Sequence, residues 1–337
     1  MSILWPLQGV SHCCRKLRKR QKLYSKVKSI YNKLCIHPPL DSSMSLKDKV
    51  VIVTGSSKGI GFEIAKEFSE NEDAHVVVCS RSLEQSVTAA KKIKGSTLAL
   101  EVDVTDQSSV NRFIEKVIEK FNKINVLVNN SGYPYNETIW NKPFHEGTID
   151  ELLKIIDVDL VGAVRLSRAV IPHMLKYKVS HSKQNNFGNE KRLSSDEQGN
   201  DIYESGMFSL DNSEEIDRIN SGGVIITISS TPAISGRTGG FPYTIAKAGN
   251  ISLTKCIAKE YGNSNIRAYS LALGNIATKA TYEAISQKVR IEAAQEAPMK
   301  RWGKPEEVAK VAACLADDNF SFATGNTIVI DGGTVLL

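Results

Sequence analysis

The stretch Thr54-Gly55-Ser56-Ser57-Lys58-Gly59-Ile60-Gly61 directly follows a short β-branched run, Val50–Val53. It opens a helical pattern in which Ile60, Ile64, Ala65 and Phe68 share a face. Strand, glycine loop and helix in this order constrain the chain strongly. Glycines permit the tight turn and let the backbone approach an anion, while the free N–H groups of the helix N-terminus attract phosphate. Three residues separate the first two glycines and one separates the last two, which is more restrictive than a glycine-rich turn alone. A lysine-bearing P-loop does not fit, because Lys58 precedes the glycine that such a lysine would follow. The loop therefore implies a dinucleotide pyrophosphate site built from Gly55, Ser57, Lys58, Gly59, Ile60 and Gly61.

The rest of the chain repeats the strand–helix rhythm. Val76–Val78, Leu98–Val102, Val126–Val128, Val224–Ile228, Arg267–Leu271 and Thr327–Ile330 read as further buried strands with helical stretches between them. Such alternation requires crossovers, and crossovers cover both faces of a parallel sheet. The expected fold is α/β: a single doubly wound Rossmann domain with a parallel, seven-stranded sheet, spanning 44–337.

Two segments stand outside this rhythm. Residues 1–43 carry nine of the 43 basic residues and one of the 37 acidic ones, so the net charge of +6 belongs to this leader. Leu23, Val27, Ile30, Tyr31 and Leu34 recur there at helical spacing, which reads as a basic amphipathic helix or a poorly ordered leader. Peripheral membrane contact or organelle targeting are the roles open to it, with nucleic acid a weaker fit. Met44, followed by Ser-Leu-Lys-Asp-Lys and a strand, resembles a natural start. About 179–221 is rich in Asn, Ser, Asp and Glu without a sustained period and reads as a solvated or disordered insertion, remote from the chemistry. The six scattered cysteines argue for a reducing compartment and against a zinc or other metal site. No apolar run approaches the roughly 20 residues that span a bilayer, so a cytoplasmic location is expected.

The second strand ends at Cys79-Ser80-Arg81, where an enzyme using unphosphorylated dinucleotide would place an acid against the ribose 2′-hydroxyl. Arg81, with Lys58 beside the loop, can instead neutralise a 2′-phosphate. The cofactor expected is NADP(H).

The ordered set of Thr54 to Gly61, Asp103-Val104, Asn129-Asn130-Ser131-Gly132, Ser230, Tyr243 to Lys247, Gly274 to Thr278 and Asp331-Gly332-Gly333 resembles the short-chain dehydrogenase/reductase family. The resemblance runs from about Lys49 to Gly333 and looks most like the 3-oxoacyl-acyl-carrier-protein reductase branch. It implies an adenine site at Asp103 and Val104, a floor beside the cofactor at Asn129, Asn130 and Gly132, and a nicotinamide carboxamide site at Gly274, Ile276 and Thr278. It also implies a homo-oligomer, a tetramer or dimer, with Val335-Leu336-Leu337 suited to a subunit interface. Leu273 stands where the family usually has Pro, and Ser131 where it usually has Ala.

Tyr243 and Lys247 are four residues apart on an expected helix over Tyr243–Tyr261 and so share a face. A free tyrosine titrates near pH 10, and a nearby ammonium favours its phenolate. By resemblance, Tyr243 exchanges the proton with a carbonyl or alcohol oxygen, Lys247 activates it and holds the nicotinamide ribose, and Ser230 orients the substrate oxygen. Ser229 should point to the opposite face of its strand. Asp159, in Asp157-Val158-Asp159-Leu160-Val161-Gly162, aligns where the family's fourth catalytic residue is normally Asn. An anion there competes for Lys247 and should move the pH optimum upward. The reaction implied is hydride transfer between nicotinamide and a small carbonyl, secondary alcohol or acyl thioester; the alternative is a catalytically impaired cofactor-binding regulator or scaffold. Trp140 and Phe144, with Tyr282 and Met299 on a flap over Lys279–Trp302, are candidate pocket walls.

Overall fold

β1 (Val50–Thr54), β2 (His75–Ser80) and β3 (Thr97–Glu101) form one wing of a parallel sheet. The other wing is β4 (Val126–Asn129), β5 (Gly223–Ser230), β6 (Ile266–Leu273) and β7 (Asn326–Ile330). The order is β3-β2-β1-β4-β5-β6-β7, the seven-stranded doubly wound sheet that the alternation implies. These coordinates are a computed structural model and describe residues 46–175, 192–195, 201–203 and 222–336.

The longer helices are α1 (Gly59–Glu70), α2 (Leu83–Ala90), α3 (Gln107–Phe121), α4 (Ile149–Ile156), α5 (Gly162–Leu175), α6 (Phe241–Tyr261), α7 (Gln287–Glu296) and α8 (Pro305–Ala316). Because successive side chains of a strand point to opposite faces, β1 feeds two cores at once. Val51 and Val53 pack with Ile64, Ala65 and Phe68 of α1 and with Val308 and Ala312 of α8. Val50 and Ile52 pack with Val110, Phe113 and Val117 of α3, Leu166 and Val170 of α5, and Ile257 of α6. Phe68 is fully buried, and truncating it to Ala would cost about 3–5 kcal/mol.

The strand order reverses direction between β1 and β4, so the crevice at their carboxyl ends is where such a sheet takes its ligand. The glycine loop leaves β1 there, and Asn130 leaves β4 beside it. Helix α6 starts at Phe241, two residues before the expected start, because Pro242 is pre-organised for a first turn.

Within the inserted segment, Arg192–Ser195 pairs antiparallel with Asp201–Tyr203, which departs from the expectation of a structureless insertion. Strands of four and three residues are too short for a periodicity reading to detect. The leader over 1–43, Leu337 and the remainder of the insertion lie outside the described residues. Among the described residues no helix is long and apolar enough to cross a membrane, and no cluster of three metal-ligating side chains occurs.

Candidate active site

At the glycine loop, Gly55 and Gly59 have φ of +64° and +61°, a region that favours glycine. Gly61 is required by space: a Cβ there would lie 2.4 Å from Asn130 Nδ2 and 2.6 Å from the Gly55 carbonyl oxygen. Asn130 donates its side-chain amide to the carbonyls of Thr54 (2.8 Å) and Gly55 (3.3 Å), so it shapes the loop from behind. Thr54 Oγ1 accepts from the backbone N–H groups of Asn130 and Ser131, each at 2.9 Å. Ser131, one of the two unusual residues, is thus held by its backbone. Lys58 precedes helix α1 without giving it a side-chain cap, whereas α2 and α3 are capped by Ser82 and Asp106. The α1 N-terminus therefore keeps backbone donors for an anion, in a cradle that a Cβ would fill.

Cations lie where the ribose end of the dinucleotide is expected. Lys58 and Arg81 are both exposed, and Lys58 and Ser57 line a cavity of about 550 Å³ between α1 and α2. Val104 is buried, while Asp103 is partly open. Burial opposes the charged form of Asp103, but hydrogen bonds from Thr105 and the charges of Arg81 and Arg165 outweigh it and hold the carboxyl below its ordinary range. Arg81 is thus close enough to be felt at Asp103.

The groups expected to move protons meet at the carboxyl ends of β4 and β5. Lys247 lies one turn after Tyr243 on α6, and its Nζ is 5.6 Å from the centre of the Tyr243 ring. The ammonium donates to the Ile228 carbonyl at 3.2 Å and lies 3.1 Å from Asp159 Oδ2. Burial acts to lower the Lys247 pKa, but Asp159 and Tyr243 outweigh it and hold it above the ordinary lysine value. Asp159 sits in a wide π-turn over Asp157–Val161 that joins α4 to α5; such turns are frequent at functional sites. Its other oxygen accepts the Tyr133 backbone N–H at 2.5 Å, and a Cβ on Gly132 would lie 3.4 Å from Oδ2. Gly249 is needed where α6 crosses this turn, because a Cβ would lie 2.4 Å from Leu160 Cδ2.

Ser229 Oγ donates to the Lys247 carbonyl at 2.7 Å, tying α6 to β5. The neighbouring Ser230 Oγ donates to the Leu273 carbonyl at 3.1 Å, and reaching a substrate oxygen requires that hydroxyl to rotate. Leu273, the other unusual residue, continues the β6 register, pairing with Ser230 on one side and Ile330 on the other. Asn250 was not among the residues expected here. Its amide donates to the Asp159 carbonyl at 2.9 Å, and the side chain is buried at the α6 position following Tyr243 and Lys247 in the i, i+4, i+7 series. A polar residue on that otherwise inward-facing stripe was the available signal.

On the far wall, Gly274 is forced by space, since a Cβ would lie 2.5 Å from Asp331 Cβ. Ile276 is buried and bridges to Gly303; Thr278 caps the next turn and faces Gly59, 3.9 Å from where a Cβ would be. The segment expected as a flap is held by an edge contact of Tyr282 with Trp302, by Arg290 stacked on Tyr282, and by Trp302 Nε1 donating to the Arg290 carbonyl. Trp140 lies directly on Tyr243, ring centres 4.3 Å apart. Phe144 packs on Phe241 and is otherwise exposed.

An open helix N-terminus at the switch point of a doubly wound sheet, with a tyrosine–lysine pair at the same edge, defines a dinucleotide-dependent oxidoreductase of Rossmann type. The chain belongs to the short-chain dehydrogenase/reductase family. The family pattern described as short chain dehydrogenase matches residues 49–182, and that described as enoyl-(acyl carrier protein) reductase matches residues 204–335. The chain is 30% identical to 3-oxoacyl-[acyl-carrier-protein] reductase FabG of Thermotoga maritima, over 87% of this chain and 100% of that protein. It is 29% identical to glucose 1-dehydrogenase 2 of Bacillus subtilis, over 86% and 96%. It is also 30% identical to 3beta-hydroxysteroid dehydrogenase 1 of Eggerthella lenta, over 86% and 95%.

Proposed function

We propose that the chain is an NADP(H)-dependent oxidoreductase that interconverts a carbonyl and a secondary alcohol on a small molecule or acyl thioester. The observation carrying this reading is the placement of Lys247 Nζ 5.6 Å from the Tyr243 ring centre, at the same edge of the sheet as the uncapped α1 N-terminus. Gly55, Ser57, Gly59, Ile60 and Gly61 would hold the pyrophosphate, Lys58 and Arg81 the 2′-phosphate, and Asp103 and Val104 the adenine. Asn130 and Gly132 would form the floor, Gly274, Ile276 and Thr278 the carboxamide site, and Tyr243 and Lys247 the ribose contact. The crowded, positive-φ glycine cradle fits this ligand. When bound, the nicotinamide supplies the hydride in reduction and accepts it in oxidation.

In reduction, Tyr243 O–H protonates the carbonyl oxygen as its carbon becomes tetrahedral, and the phenolate then regains a proton from solvent. Lys247 supplies the positive charge that favours the phenolate between these events. Ser230 rotates its hydroxyl from the Leu273 carbonyl to the substrate oxygen. Asp159 orients Lys247 and reduces the charge that Tyr243 feels. Oxidation uses the same groups in reverse. The exposed Ile149 and Leu153, one turn apart on α4, suit a homo-oligomeric contact.

Consumption of NADPH and of NADH with a panel of carbonyls, one of them an acyl thioester, tests the reading. Turnover with a preference for NADPH supports it. Tight NADPH binding without any turnover favours the cofactor-binding scaffold instead, a reading to which the Asp159–Lys247 contact lends its one structural argument.

A further inference from the structure

We propose that Arg237 selects the substrate, pairing with a carboxylate on the molecule whose carbonyl faces Tyr243, so that the preferred substrates are oxo-carboxylates. This rests on the carbonyl-reductase reading above. Arg237 lies in the loop between Ser230 on β5 and Tyr243 on α6, and so hangs over the reacting edge of the sheet. Its guanidinium carbon is 4.9 Å from the centre of the Trp140 ring, and Nη2 donates to the Trp140 carbonyl at 3.3 Å. Trp140 in turn covers Tyr243 at 4.3 Å and meets the half-exposed Tyr135 at 5.2 Å. One indole therefore separates a fixed cation from the phenol.

Among the described residues no carboxylate lies within ion-pair distance of Arg237, and the titratable groups near enough to act on it are the phenols of Tyr243 and Tyr135. The guanidinium is packed on the indole although the residue as a whole is exposed, and this burial lowers its pKa against the pull of the two phenols. A surface arginine that merely solvates its loop need not be stacked and hydrogen-bonded on the ring that covers Tyr243. Stacking on one face and the bond from Nη2 to Trp140 leave the remaining in-plane N–H donors for a ligand, and two parallel donors match the two oxygens of a carboxylate.

The loop itself is pre-shaped. Gly239 and Gly240 have φ of +71° and +61°, and a Cβ on Gly240 would lie 2.8 Å from the Trp140 carbonyl oxygen. Gly240 N–H donates to the Lys142 carbonyl at 3.3 Å, and Lys142 is anchored by its ion pair with Glu151 of α4. The arginine and the indole are thus positioned before substrate arrives, which reduces the ordering cost of binding.

The test uses the full chain with NADPH and linear oxo-carboxylates, the carbonyl two to five carbons from the carboxylate, each beside its methyl ester. Wild type is expected to favour the best acid over its ester by roughly tenfold or more in kcat/KM, mainly through KM. Arg237→Leu should abolish that preference while leaving kcat on the ester within about twofold of wild type, and Arg237→Lys should restore part of it. Ester turnover with no preference for any acid, unchanged in Arg237→Leu, overturns the inference and leaves the reductase reading standing. Loss of acid and ester turnover together in Arg237→Leu also overturns it, since the residue would then be a support for Trp140. Absence of turnover on every substrate with wild type overturns both readings.

Discussion

Lys247 Nζ lies 3.1 Å from Asp159 Oδ2, with the two side chains 6% and 1% exposed. A buried ion pair at this distance fixes both groups, because removing either partner leaves the other charged in a poor solvent, at about 3–5 kcal/mol. Since the raised Lys247 pKa keeps the ammonium charged, the stabilisation is present below the ordinary lysine value of 10.5 and is lost only as pH rises through a still higher value. On the proposed mechanism the pair also costs activity, as the carboxylate partly neutralises the cation beside Tyr243.

Asp159→Asn keeps the shape of the side chain and removes its charge. The freed ammonium then acts more fully on Tyr243, and the pH–rate profile should move to lower pH. Rates measured from about pH 5 to 10 check this, and a profile superimposable on wild type contradicts the assignment. Lys247→Met strands the Asp159 carboxylate, so a large fall in melting temperature should accompany the loss of activity.

Arg81 and Lys58 should set the choice of dinucleotide. Arg81→Asp is expected to raise the KM for NADPH by on the order of 10–100-fold, with little change for NADH. Equal effects on both nucleotides would place Arg81 outside the 2′-phosphate site.

Gly61→Ala introduces a Cβ 2.4 Å from Asn130 Nδ2 and 2.6 Å from the Gly55 carbonyl oxygen. Overpacking of this kind costs about 1–3 kcal/mol, and it should displace the loop that receives the pyrophosphate. Calorimetric NADPH titration should show weakened binding. Adding Asn130→Ala relieves only the side-chain clash, so the double variant should not recover fully.

Acid sensitivity has a separate source at the surface. Arg301 meets Glu307 in a two-point ion pair of 2.8 and 2.7 Å, and Lys304 N–H also donates to Glu307, at the start of α8. Hydrogen bonds from Arg301 and the Lys304 backbone lower the Glu307 pKa from 4.5 to about 2. A depressed carboxylate pKa contributes stability above its unfolded value and loses it as pH falls through the folded one. Melting curves of wild type and Glu307→Gln should therefore differ at pH 7 and converge between about pH 4.5 and about 2. The pair is exposed, so the difference should be small.

Much of this architecture was legible because it follows from periodicity and from the steric demands of glycine. The seven expected runs became the seven strands; the inner ones are buried on both faces and have no polar alternation to obscure them, while the outer strands Thr97–Glu101 and Asn326–Ile330 are only partly buried, short of the buried strands expected there. The tyrosine–lysine face follows from helical spacing alone. Arg267, a cation inside a buried strand, has its reason in the fold and not in the local pattern: its guanidinium donates to the carbonyls of Leu315, Ala316 and Asp317 at the end of α8. Ser230 was legible as a position, but its hydroxyl direction depends on the Leu273 carbonyl of another strand. Asn250 and Arg237 depend on partners 91 and 97 residues away in sequence, Asp159 and Trp140, and no local pattern encodes such contacts.

The central claim is that Tyr243 exchanges the reacting proton, and one comparison tests it directly. Carbonyl-dependent NADPH oxidation should be measured for wild type and Tyr243→Phe, with NADPH affinity determined for both. The account predicts wild-type turnover, a fall in kcat of about 10²–10⁴-fold in Tyr243→Phe, and NADPH affinity nearly unchanged. Comparable turnover by the two proteins would contradict it.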